Sequence, residues 1–77
     1  MTKLKVRLNS INAVTSFVET IQRLPYDADI GNNSRVFVDA ASIMGIFSLN
    51  LQLPLYLIVY SDDTDVIKRA LAAFIIN

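Results

Sequence analysis

The chain has 77 residues, 53% of them hydrophobic and 18% charged, and its seven basic side chains balance seven acidic ones. It contains neither histidine nor cysteine, which excludes histidine phosphotransfer, imidazole catalysis, disulfides and thiolate metal sites. A zero net charge gives no footing for binding nucleic acid or an anionic membrane, and a mean hydropathy of +0.44 excludes a disordered segment.

Residues 3–8 alternate, with Leu4, Val6 and Leu8 against Lys3, Lys5 and Arg7, which predicts a half-buried strand. Asn9-Ser10-Ile11-Asn12 is a polar stretch suited to capping a helix. Val14, Phe17, Val18, Ile21 and Leu24 then recur at helical spacing, which predicts an amphipathic first helix ended by Pro25. Asp27 to Ser34 reads as a short strand and tight turn, and Arg35 to Asp39 as a brief strand with Val36 and Val38 on one face. A short second helix is expected just after Ser42, over Ile43 to Leu49. Leu53 to Tyr60 is apolar on both faces, as in a strand central to a sheet. Asp62, Asp63 and Asp65 suit the positive start of a last helix, whose stripe of Ile67, Ala70, Leu71 and Phe74 is expected to run almost to Asn77.

This order predicts one domain over residues 1–77, an α+β fold with helices on one face of an antiparallel sheet. The start of the chain lacks the apolar core of a signal peptide, and its longest apolar run, residues 55–60, is too short to span a bilayer. A soluble, cytoplasmic protein is expected.

Ala41-Ser42-Ile43-Met44-Gly45-Ile46-Phe47-Ser48-Leu49 resembles the regulatory-serine segment of HPr, the phosphocarrier of the bacterial sugar phosphotransferase system. Tyr26-Asp27-Ala28-Asp29-Ile30 resembles the HPr stretch after its first helix, and the order of elements agrees over nearly the whole chain. The resemblance implies an open-faced β-sandwich: a four-stranded antiparallel sheet of order 1-4-2-3 with three helices on one face. The family's active segment reads Ile-His-Ala-Arg-Pro-Ala, and the aligned residues are Ile11-Asn12-Ala13-Val14-Thr15-Ser16. Asn12 thus stands for the phosphoryl-accepting histidine and Val14 for the arginine that holds the phosphoryl group. An amide nitrogen is no nucleophile, so the resemblance implies a degenerate member unable to act as a phosphocarrier.

Asn12 reads either as a helix cap or as a polar contact for a partner. Ser42 reads either as the cap of the second helix or as a regulatory phosphorylation site, since the HPr serine is the target of a dedicated kinase whose product binds a transcription regulator. Ala41 replaces the basic residue the family usually places before that serine. Ile43, Met44 and Phe47 correspond to the family's partner-binding patch, or else they pack into the core. On the last strand Tyr56, Ile58 and Tyr60 are expected on the open sheet face, joined by Phe37. That cluster either mediates self-association or lies under the stems of Lys3, Lys5 and Arg7.

Asp27, Asp29, Asp62, Asp63 and Asp65 lack the spacing of a calcium loop, and no glycine-rich phosphate loop or acid–base carboxylate pair is present. Neither an enzyme nor a cofactor or metal site is expected. The expected function is a regulatory or partner-binding module acting through the Ser42 segment, with a protein partner such as a kinase or transcription regulator. The alternatives are a structural or assembly domain using the open sheet face, or a phosphocarrier by family likeness only.

Overall fold

Hydrophobic spacing turns into a two-layer structure in which one strand organises the rest. The computed structural model describes residues 1–33 and 35–76; Ser34, at the end of the expected Asp27–Ser34 turn, and Asn77 lie outside the described residues. The elements are β1 (Thr2–Val6), α1 (Ile11–Arg23), β2 (Ala28–Gly31), β3 (Val38–Asp39), α2 (Ile43–Phe47), β4 (Leu55–Val59), α3 (Thr64–Ala70) and β5 (Ile75–Ile76). The sheet order is β3-β2-β4-β1-β5, and every pairing is antiparallel. The expected 1-4-2-3 arrangement is present, extended by one short strand on the free edge of β1.

β4 is the central strand of the antiparallel ladder, with Leu57 facing Leu4 on one side and Ile30 on the other. Leu55, Leu57 and Val59 point to the helices and are almost fully buried, together with Val6, Ile30, Ile46, Ile67 and Leu71. From α1 come Val14, Phe17, Val18 and Ile21, all but inaccessible, as the stripe predicted. Phe17 meets Phe74 edge to face, with ring centres 5.5 Å apart. Thr2, the one buried polar residue among the described residues, donates to the Ser61 carbonyl at 2.8 Å and lies 3.0 Å from the Thr64 hydroxyl, so its oxygen is satisfied.

Four expectations need correction. The third strand is shorter than Arg35 to Asp39: Asn33 Oδ1 accepts from the Arg35 and Val36 backbone N–H groups, at 2.8 and 3.2 Å, and so withdraws both donors from the ladder. Val36 is consequently exposed while Val38 packs on the core. β4 starts at Leu55 and not Leu53, because the preceding Pro54 has no N–H to give the sheet. The second helix stops at Phe47, where the Ser48 hydroxyl and backbone N–H both bond the Gly45 carbonyl. The last helix ends at Ala70. Leu71 to Phe74 then form a turn closed by the Phe74 N–H on the Leu71 carbonyl at 2.9 Å, and Ile75–Ile76 pair with Lys5 and Val6. Two β-branched residues beside an open strand edge gain more from the ladder than from further helix.

Candidate functional site

At one end of the molecule the start of α1 and the short helix α2 lie side by side. Ser10 caps α1: its backbone is extended and its Oγ accepts from the Ala13 N–H at 3.0 Å. The cap is therefore not Asn12, which is the second residue of the helix, in its first turn, and is exposed. Ser-Ile-Asn offers two good capping residues, and the outward β-like backbone selects the first. Val14 is fully buried in the core, so a side chain there cannot reach solvent without turning away from the sheet. Thr15 and Thr20 donate back to the carbonyls of Ile11 and Ser16, which satisfies their hydroxyls within the helix.

Ser42 caps α2 in the same manner, its Oγ accepting from the Gly45 N–H at 3.0 Å. The neighbouring carboxylate matters here. Asp39 Oδ1 accepts from the Ala41 N–H at 2.9 Å, and its carbonyl accepts from the Ser42 N–H at 3.0 Å, so a negative charge is held close to the serine. Space at Gly45 is tight: a Cβ there would stand 3.2 Å from Ser42 Oγ and 3.3 Å from Val38 Cβ, so its neighbours would have to give by a few tenths of an ångström. Of the four large apolar residues of α2, only Ile46 enters the core. Ile43, Met44 and Phe47 are 41%, 85% and 44% exposed.

Ile11 is exposed as well, at 71%, and shares with Phe47 a shallow depression of about 470 Å³ floored by Leu51 and rimmed by Arg7, Asn9, Ser10 and Gln52. The sequence gives no hint of this contribution. Ile11 stands three residues before Val14, on the apolar stripe, yet it lies in the first turn where the helix has passed beyond the sheet.

The open sheet face forms a second surface. Tyr56 and Tyr60 are half exposed, and Phe37 lines the same depression as Tyr56 and Ile58. Lys5 covers Tyr56 in part, its Nζ 5.6 Å from the ring centre. Arg7 instead borders the Ile11–Phe47 depression. The Tyr60 hydroxyl donates to Asp29 Oδ2 at 2.7 Å and the Tyr26 hydroxyl to Asp63 Oδ2 at 2.8 Å, and these bonds to carboxylates raise both phenols above their ordinary value.

The chain superposes on the crystal structure of HPr-C-His from Thermoanaerobacter tengcongensis with a TM-score of 0.76 and 22% sequence identity, covering 95% of this chain and 89% of that one. The fold is HPr-like. No protein-family model and no curated protein matches the sequence. The HPr-like fold places Ser42 at the head of a short helix, as the resemblance implies, and among the described residues no helix is long and apolar enough to cross a membrane. Whichever residue at the start of α1 stands where HPr carries its histidine, none of them can be an imidazole, because the chain has no histidine.

Proposed function

We propose that this chain is a non-catalytic member of the HPr family which binds a protein partner through α2 and the start of α1. The observation that carries this reading is the outward display of Ile43, Met44 and Phe47, the last sharing a depression with Ile11, while Ile46 alone anchors the helix. Large apolar side chains on a water-facing helix are unfavourable in isolation, and Met with an aromatic neighbour forms an adaptable contact surface. The fold supports the reading, and the missing histidine removes phosphocarrier action from it. The partner belongs to the class that HPr-like surfaces meet in the cytoplasm, a kinase or a transcription regulator.

Ser42 phosphorylation is a candidate control on that surface. A phosphate would stand beside the first N–H groups of α2 but also beside the Asp39 carboxylate, and like charge opposes it. Docking is therefore the primary reading and phosphorylation a secondary one.

Immobilised protein tests the docking reading against the double variant Met44→Glu, Phe47→Ser. A partner retained by the parent and lost with the variant is the expected result; equal retention by both would sink the assignment. Incubation with Enzyme I and phosphoenolpyruvate is expected to leave the mass unchanged, and an acid-labile phosphoprotein would restore the carrier reading. Incubation with HPr kinase and ATP, read by intact mass against Ser42→Ala, decides the phosphorylation.

A further inference from the structure

The open face of the sheet carries a charge pattern that its apolar character alone does not convey. Strand register sets Asp29 of β2, Ile58 of β4 and Lys3 of β1 in one row across the sheet. The next row on the same face holds Gly31, Tyr56 and Lys5, and β3 adds Asp39 beside Asp29. One flank of the face is thus acidic and the other basic, with Tyr56, Ile58 and Tyr60 between them. On this face lies a depression of about 710 Å³ lined by Phe37, Tyr56 and Ile58 together with Asn32, Asn33, Lys3 and Lys5.

Two such faces can be apposed about either of two in-plane axes. An axis running across the strands would lay β1 on β1 and β2 on β2, so lysine would meet lysine and aspartate would meet aspartate. An axis running along β4 exchanges left for right. It sets Lys3 of each copy over Asp29 of the other, brings the two Ile58 side chains together, and places Lys5 opposite the Gly31 position. Only the second arrangement pairs the charges, and it does so twice by symmetry.

We propose that a second copy of this chain covers the open face, in a two-fold dimer whose axis runs along β4. Asp29 can serve both contacts: its Oδ2 holds the Tyr60 hydroxyl, and a carboxylate has further acceptor positions for a lysine. Packed sheets lie about 10 Å apart, a gap that lysine and tyrosine side chains from the two copies fill. A specific interface needs about 800 Å² from each partner, roughly a sixth of this chain's 4750 Å² surface. The dimer uses the layer opposite the helices and leaves the α2 surface free, so it stands independently of the partner-binding reading.

Sedimentation equilibrium from low micromolar to near-millimolar protein is the test. The parent is expected to pass from the 8.6 kDa of one chain to twice that mass. Lys3→Glu is expected to raise the dimer Kd at least about tenfold by facing Asp29 with a like charge, and Ile58→Lys to do the same by facing lysine with lysine on the axis. The double exchange Lys3→Glu, Asp29→Lys is expected to restore the dimer to within about threefold, and Met44→Glu to leave it unchanged. Circular dichroism confirms that each variant is folded, and the exposed Lys3 position serves if Ile58→Lys is not. A parent that remains at the mass of one chain throughout overturns the proposal, as does a dimer indifferent to Lys3→Glu. A double exchange that fails to recover the dimer overturns the axis along β4.

Discussion

Ser42→Ala separates the structural work of this serine from any regulatory one. The substitution removes the acceptor for the Gly45 N–H, a partly buried bond of 3.0 Å that water is poorly placed to replace. Loss of an N-cap costs about 0.5–2 kcal/mol, and partial burial puts Ser42 in the upper half of that range, at about 1.5 kcal/mol. In a domain of this size each kcal/mol moves the melting temperature by about 4–8 °C, so a fall of about 6–12 °C is expected by circular dichroism. Ser10→Ala removes a bond of the same length at an exposed site and is expected to cost only about 0.5–1 kcal/mol. Ser42→Asp keeps an acceptor at the cap but sets a second carboxylate near Asp39, and it is expected to fall between the parent and Ser42→Ala. A Ser42→Ala melt within about 1 °C of the parent, or a Ser10→Ala loss exceeding it, would refute the reasoning that burial grades these two caps.

Gly31→Ala forces a Cβ to within 2.2 Å of the Val36 carbonyl oxygen and 3.2 Å of the Phe37 ring, so the β2–β3 turn must shift; an equilibrium urea titration is expected to show a loss of about 1–3 kcal/mol. Tyr60 and Tyr26 donate to Asp29 and Asp63, and the folded state therefore keeps both phenols protonated above their ordinary value of 10.0. Their contribution is complete below that pH and declines as pH rises through the folded-state values, because the unfolded chain loses its protons first. In a phenolate absorbance titration, Tyr60→Phe and Tyr26→Phe are each expected to delete a late-titrating phenol; deletion of one titrating at or below the ordinary value contradicts the bonding. Met44→Glu, at a side chain 85% exposed, is expected to change the urea midpoint by no more than about 0.5 kcal/mol in stability, whereas a larger loss would mean that Met44 packs on the core.

Much of the architecture is visible in spacing alone. Val14, Phe17, Val18 and Ile21 announce both the first helix and the side it buries, and the two-sided hydrophobicity of Leu55 to Val59 announces a central strand. Contacts between distant residues are what spacing cannot convey. Phe74 continues the stripe of Ile67 and Leu71, so the stripe reads as helix through the turn that follows Ala70, and nothing local reports that Lys5 and Val6 offer an edge to Ile75 and Ile76. The shortening of the third strand depends on one amide, Asn33, capturing two backbone donors. For the candidate site, Ser42 as a cap was legible from its place before an apolar helix. The choice of Ser10 over Asn12 was not, because both are good caps and the decision lies in where the chain leaves the sheet. The exposure of Ile43, Met44 and Phe47 was likewise undecided, since a five-residue helix is too short for periodicity to distinguish faces.

The place of β1 in the ladder has a consequence for how the molecule comes into being. Thr2 pairs with Val59, and Lys5 pairs with both Tyr56 and Ile76, so the first strand finds no partner among the residues near it in sequence. During synthesis α1 and the β2–β3 hairpin can sample their structure early, but β1 waits for β4 and β5, which are made after them. Closing such long loops is entropically unfavourable until the reward of central-strand burial arrives in the same step. Folding is then concerted, with β1 meeting β4 and β5 in the closing event, and a ribosome-bound chain reaching no further than Pro54 would hold β1 as an unpaired edge.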